Sequence, residues 1–206
     1  MSGLRPVWLV LGVASLLALW AGPLPGIARG GSHAAHMILH MGVVAAAIPM
    51  IALGLAPALS GGRLAARAPV ILAAATMIDL VVVWAWHLPA LQTAARANGW
   101  ILALEQASFA LAALFVWLPA LAGPALAGAL ALFFTAMHMT LLGVLIAVSP
   151  VLLHGHEGHG AGIWGLDAMQ DQELGGIVML AVSGSVYLLA GLWLAAMGLR
   201  PSEART

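Results

Sequence analysis

The stretch Ala125-Leu-Ala-Gly-Ala-Leu-Ala-Leu-Phe-Phe-Thr-Ala-Met-His138-Met-Thr-Leu-Leu-Gly-Val-Leu-Ile-Ala-Val148 contains no Asp, Glu, Lys or Arg. A helix needs about 20 apolar residues to cross a bilayer, and this run is long enough before Ser149-Pro150 stops it. Five further runs of the same kind lie outward from it, at about 7–22, 36–59, 69–91, 100–121 and 174–199. Pro23, Ser60-Gly61-Gly62, Gly123-Pro124 and Arg200-Pro201 punctuate them. The runs are unbroken rather than alternating, which argues helices instead of barrel strands. The predicted fold is an all-α integral membrane protein: one domain over 1–206, built from a bundle of six transmembrane helices.

Composition agrees. Apolar residues make up 63% of the 206 and charged residues 7%, where soluble domains carry about 25% charged. Seven arginines, seven acids and no lysine cannot cover a water-facing surface. A soluble enzyme and a disordered chain are both excluded. Zero formal net charge gives no sign of a nucleic-acid partner. The absence of cysteine excludes disulfides, thiolate metal sites and cysteine nucleophiles.

With the N-terminus inside, the inner segments hold Arg5, Arg63, Arg67, Arg200 and Arg205, and the outer ones hold Arg29 and Arg96. The positive-inside rule then predicts both termini cytoplasmic. Trp8, Trp20, Trp84, Trp86, Trp100, Trp117 and Trp193 fall at or near span ends, where an amphipathic indole sits well. The first run also resembles a signal-peptide core behind Arg5. No clean small-x-small cleavage site follows it, so it reads as a retained helix.

This topology sorts the histidines to one side. His33, His36 and His40 open the second span from outside, and His87 closes the third. His154, His156 and His159 lie in the outer loop before the sixth. Glu105, Asp167, Asp171 and Glu173 enter from the same side, and only His138 lies near mid-membrane. In His36-Met37-Ile-Leu-His40-Met41, the i,i+4 histidines share a helix face and can both reach one metal ion. Imidazole suits copper, zinc, iron and nickel, while a thioether selects soft Cu(I). Methionine and histidine can also hold copper where thiols are liable to oxidation. A single methionine, however, is an ordinary gap filler. In Met137-His138-Met139, consecutive residues diverge, so at most two can face one site. The glycine-rich loop His154–His159 either collects metal or is a plain solvated loop. Asp79, inside the third span, is an intramembrane carboxylate. Two roles stand open for it: a structural hydrogen bond, or ion and proton handling.

Four blocks resemble the CtaG-type cytochrome c oxidase assembly factors, multi-span bacterial proteins associated with copper supply. They are His36-Met37-Ile-Leu-His40-Met41 with Ala47-Ile-Pro49 and Leu53-Gly54-Leu-Ala-Pro57; Trp86-His87-Leu88-Pro89-Ala90-Leu91; Trp100-Ile-Leu-Ala-Leu-Glu105-Gln-Ala-Ser-Phe109 with Trp117-Leu-Pro119; and Met137-His138-Met-Thr-Leu141-Leu142-Gly143 with Asp171-Gln172-Glu-Leu174-Gly175-Gly176-Ile-Val-Met179. The ordered set covers about residues 33–199. It departs from the family pattern at Leu102 and Gln106, where histidines are frequent, at Leu180 in place of an aromatic, and in having six spans where many members have seven.

The resemblance implies a non-enzymatic protein of the bacterial plasma membrane that binds copper, Cu(I) by preference, near its outer face and serves a terminal oxidase subunit. His36 and His40 are the expected primary ligands, with Met37, Met41, His87 and His138 as further candidates. Asp171 and Glu105 are expected to orient metal-bound imidazoles, with Asp79 in reserve, and His154, His156 and His159 to collect the ion. Two rival readings stand beside this one: a membrane cytochrome with haem between His40, His87 and His138, and an ion or proton transporter using Asp79, Glu105 and His138.

Overall fold

The computed structural model describes residues 5–60, 63–153 and 165–200, with side chains from 66 in the second of these segments. His154, His156 and His159 fall outside them. Among the described residues the chain is helical, with no strand. The elements are α1 (Pro6–Ala21), α2 (Leu24–Arg29), α3 (His33–Gly42), a π-helical segment (Val43–Ala47), α4 (Ile48–Leu59), α5 (Arg63–Trp86), α6 (Pro89–Ala97), α7 (Gly99–Ala122), α8 (Ala125–Ala147) and α9 (Ala168–Gly198).

Five helical stretches are long and apolar enough to cross a membrane: His33–Leu59, Ala66–Trp86, Gly99–Ala122, Ala125–Ala147 and Ala168–Gly198. The sixth apolar helix, α1, has 16 residues and a length of about 24 Å at 1.5 Å per residue. That is a little short of the ~30 Å hydrocarbon core.

Two boundaries differ from the sequence expectation. The third span ends at Trp86, not at 91. Pro89 disfavours helical geometry in the residue before it, so Leu88 turns extended (φ −68°, ψ 136°) and Pro89 starts the separate helix α6. His87 therefore sits in the turn between α5 and α6. The sixth span starts at Ala168, before the expected 174. Asp167 accepts from the Gln170 backbone N–H while the Gln170 side chain accepts from the Asp167 N–H, and this reciprocal cap starts the helix early.

Small residues set the packing, as expected where lipid provides no hydrophobic drive between helices. The closest pair is α8 with α9. A Cβ on Gly176 would lie 2.5 Å from the Ala147 nitrogen, and one on Gly143 would lie 2.7 Å from the Leu180 nitrogen. Both obstacles are backbone. Gly176→Ala is therefore expected to cost about 1–3 kcal/mol through overpacking, despite alanine's better helix propensity. Unfolding in mixed detergent micelles would measure this, and a wild-type midpoint would refute it. On the other side of the bundle, α1 packs on α4 and the π-helical segment, with Gly12 against Ile51 and Gly54 against Leu9. Large apolar side chains such as Val7, Val70, Leu130 and Leu189 face outward.

The π-helical segment has a local cause. The Ile48 N–H reaches back to the Val43 carbonyl, and Pro49 has no N–H to offer the next one. The Val44 carbonyl is thus released from the ladder. Two side chains from other helices satisfy it: Trp117 Nε1 of α7 at 3.1 Å and the Tyr187 hydroxyl of α9 at 2.9 Å.

On the positive-inside expectation, the end of the bundle carrying α2 and α6 would be the outer one. The chain has no native cysteine, which permits a direct test. Ala97 and Ser60 are both exposed, each at the C-terminal end of its helix, α6 and α4. In intact cells an impermeant thiol reagent is expected to label Ala97→Cys and not Ser60→Cys. The reverse pattern would invert the topology.

Candidate metal centre

The histidine-bearing end of α3 is fixed from two directions. The Ser32 hydroxyl accepts from the Ala35 N–H, capping the helix. That hydroxyl also donates to Asp171 Oδ1 at 2.7 Å, while Asp171 Oδ2 accepts from the His33 backbone N–H. Asp171 therefore anchors the first turn of α3 to the first turn of α9. It acts on the helix start. Gly175 of α9 lets α3 come close, since a Cβ there would lie 2.5 Å from the His33 ring and 3.2 Å from Met37 Cγ.

One turn further on, the 3.6-residue period carries His36 and His40 to the face opposite α5 and α7. Their ring centres are 6.4 Å apart and nearly parallel. His87, in the turn after α5, completes a triangle, at 5.9 Å from His36 and 5.5 Å from His40. His87 Nδ1 lies 2.6 Å from the Val83 carbonyl. A carbonyl can only accept, so Nδ1 carries the proton and Nε2 keeps its lone pair. Phe109 of α7 lies against His40, with ring centres 3.9 Å apart.

Glu105 of α7 is fully buried, with Oε2 3.7 Å from His36 Nδ1 and 3.3 Å from the Gln106 amide nitrogen that donates to it. His33 continues the row outward, its ring 5.9 Å from that of His36. Its Nδ1 lies 3.3 Å from the Gln92 amide nitrogen of α6, and Arg96 donates to the Gln92 oxygen at 3.4 Å. Burial works against the Arg96 charge, while the carboxylates of Asp171 and Glu105 favour it.

This centre is closed to water. His40 has no exposed surface, and His33, His36 and His87 are buried. Both ring nitrogens of His40, together with Glu105 Oε1 and Gln106 Oε1, are buried with no hydrogen-bond partner among the described residues. Each such buried group costs about 1–3 kcal/mol. Among the described residues, no three His, Asp or Glu side chains yet converge on an ion-sized point. Two imidazoles sharing one ion at a metal–nitrogen distance of about 2.0–2.1 Å have ring centres roughly 5–6 Å apart. The spacings of His87 to His36 and to His40 lie within that range, and that of His36 to His40, at 6.4 Å, lies outside it.

Other predicted site residues lie elsewhere. His138 Nε2 is 3.1 Å from Asp79 Oδ2, in a separate buried pair between α8 and α5, with the His138 ring beside Phe134. Met37 and Met41 are buried in the apolar core. Of the Met137-His138-Met139 run, Met139 is buried and Met137 faces outward. The participation of His33, Gln92 and Arg96 was not anticipated as part of a site. The signal available for His33 was its shared helix face with His36 and His40. Leu102 and Gln106 line a cleft of about 430 Å³ together with Trp20, Pro25, Gly99, Ala103 and Ala107.

The helices and the ordered motifs they carry correspond to one family. A family model described as the cytochrome c oxidase caa3 assembly factor (Caa3_CtaG) matches residues 1–200. The chain belongs to that family. Neither a curated protein nor a solved structure matches it. As a caa3 assembly factor it is a multi-pass membrane protein concerned with building cytochrome c oxidase. The buried histidine centre lies on three of the spanning stretches or their ends, inside the matched region.

Proposed function

We propose that this assembly factor binds copper at the buried centre and supplies it to the oxidase, without catalysing a reaction. The observation that carries this reading is His40: an imidazole with both nitrogens buried and unsatisfied, facing His36 and His87. A native core rarely tolerates such groups without a reason, and a soft cation would give the lone pair of the unprotonated nitrogen a partner.

His36, His40 and His87 are the proposed ligands. Glu105 orients His36 through its Nδ1, as the outer partner of a ligating imidazole usually does. The water-excluding pocket favours Cu(I), whose single charge costs less to bury than two. Met37 and Met41 stand next to two ligands in sequence and supply a thioether if α3 adjusts on binding. His138 and Asp171 are more remote members of the proposal, the latter by fixing the helix that carries the ligands. The loop of His154, His156 and His159 is assigned as the collector. The arginine distribution supports an outer-face position for the centre in a bacterial plasma membrane, where an oxidase subunit would receive the ion.

Metal analysis of protein purified without a histidine tag tests the reading. A stoichiometric equivalent of copper with no visible colour is expected under reducing conditions. An intense Soret band would replace copper with haem.

The Asp79–His138 pair favours a second reading, proton or ion handling, because an intramembrane carboxylate is costly and is commonly retained for function. Glu105 is held at the histidine centre instead. Flux through reconstituted liposomes that Asp79→Asn abolishes would establish this role, and absence of flux would remove it.

A further inference from the structure

We propose that the cleft between α1, α2 and α7 is a binding site for one anionic glycerophospholipid: an acyl chain fills the cleft, and Arg29 holds the phosphate at its mouth. This inference uses none of the histidines and is independent of the copper reading.

The cleft has a local cause. α1 stops at Ala21, and α2, with Pro23 and Pro25 at its start, runs for only 6 residues. α7 opposite them has 24. The two short helices leave part of α7 uncovered. A cavity of about 430 Å³ remains, walled by Trp20 and Pro25 on one side and by Gly99, Ala103, Gln106 and Ala107 of α7 on the other. Gly99, Ala103 and Ala107 recur at every fourth residue, so they form one strip along the helix. Their small side chains keep that strip flat over roughly 12 Å, at 1.5 Å per residue. The Gln106 amide nitrogen donates to Glu105, and its oxygen is buried. What meets an occupant is therefore mostly hydrocarbon. The volume lies within the ~300–1,000 Å³ of small-molecule sites, and walls of this kind suit an extended acyl chain.

The mouth of the cleft supplies the charge. A Cβ on Gly99 would lie 3.5 Å from Arg29 Nη1, so the guanidinium stands beside the residue where the strip begins. Its Nε donates to the Arg96 carbonyl. Arg29 is exposed, and no carboxylate pairs with it among the described residues. A guanidinium in that state suits a phosphate group, whose oxygens match its planar fork. Trp100, next to Gly99 in the chain, is 85% exposed, and Trp20 stands on the opposite wall. Indoles concentrate at the headgroup level of a bilayer. The arginine and the two indoles thus mark headgroup depth at the start of α7, and the strip runs from there into the hydrocarbon. The lipid lies with its head at Gly99 and its tail toward Ala107. Free phosphate would meet the arginine but leave the apolar walls bare. A zwitterionic lipid would bring its own cation to the phosphate. An anionic glycerophospholipid answers both the charge and the walls.

The test uses the full chain in detergent micelles, stripped of lipid and metal. It is titrated with phosphatidylglycerol or with phosphatidylcholine of the same acyl chains, and native mass spectrometry counts the lipids retained. One phosphatidylglycerol is expected to be held tightly. Phosphatidylcholine should bind at least roughly fivefold more weakly, the worth of one arginine near an anionic surface. Arg29→Gln keeps a donor for the Arg96 carbonyl but not the charge, and is expected to bind both lipids at the phosphatidylcholine level. Ala103→Trp fills the strip from an exposed position and is expected to lose the retained lipid of either kind. Excess inorganic phosphate should leave the lipid in place. The site would be overturned by a wild type that retains no lipid or holds the two lipids equally, or by undiminished retention in a folded Ala103→Trp protein. Displacement by inorganic phosphate alone would reduce it to an anion site and equally overturn the lipid. If Ala103→Trp does not fold, the Arg29→Gln comparison decides. Copper content plays no part in these readouts, so the two proposals stand or fall separately.

Discussion

Replacing His36 and His40 together with alanine is expected to remove essentially all tightly held copper while the protein still inserts and stays folded. Both rings lie on one face of α3, within 6.4 Å of each other and close to His87. Their loss leaves His87 as the last of the three proposed ligands, and one imidazole does not hold an ion against competing chelators. The helix should survive. Its start is fixed by Ser32 and Asp171, its middle by Gly175 of α9, and its far end by Trp117 and Tyr187. Alanine is also the best helix former. The cavity left in the core costs stability, but truncation removes orphaned nitrogens at the same time, which offsets part of that cost. Copper content of the purified double variant, with its helicity checked, decides the matter. Undiminished stoichiometry in a folded protein would place the ion elsewhere, with the loop of His154, His156 and His159 next to be examined.

Asp79→Ala is expected to be the most destabilising single change in the spans, by about 3 kcal/mol or more. Removing one partner of a buried pair typically costs about 3–5 kcal/mol. His138 would lose the contact of its Nε2, and its Nδ1 is already buried with no partner among the described residues. Asp79→Asn behaves differently. Its amide oxygen accepts from the His138 N–H, so the loss should stay near the ~1 kcal/mol of an ordinary hydrogen bond. Neither change touches the His36 cluster, and copper binding by the folded Asn variant should match wild type. Unfolding curves for the two variants, read side by side, test the claim. Equal and large losses would mean that the carboxylate charge, rather than its acceptor geometry, holds the helices together.

The spans were legible in the sequence because the bilayer imposes a length and an apolar composition that few other folds share. The common face of His36 and His40 was legible for the same kind of reason: helical period fixes it locally. Tertiary partners were harder to read. Asp171 and the histidines share one end of the bundle, but nothing in the chain's spacing says that the carboxylate meets Ser32 and the His33 backbone N–H. Depth alone aligns Asp79 with His138, and both were noted as deep in the membrane. Their pairing still depends on α5 and α8 facing each other, which periodicity does not encode. Gln92 was hidden by a boundary error. Extending the third span through Pro89 to residue 91 left the next few residues as connecting loop, whereas the break at Leu88 makes them a surface helix that brings an amide over His33.

The π-helical segment Val43–Ala47 has a consequence for how sequences of this kind can drift. An extra residue in one turn changes the angular phase between the two halves of a span by about 100°. The face carrying His36 and His40 and the face of α4 that receives Gly12 of α1 through Ile51 are therefore set independently, joined by an offset that regular helix would not give. A one-residue deletion anywhere in the segment would heal the ladder locally and yet turn the histidines away from Glu105 and His87. Length here is constrained more tightly than residue identity. Point substitutions of its small apolar residues should be tolerated where insertions and deletions are not.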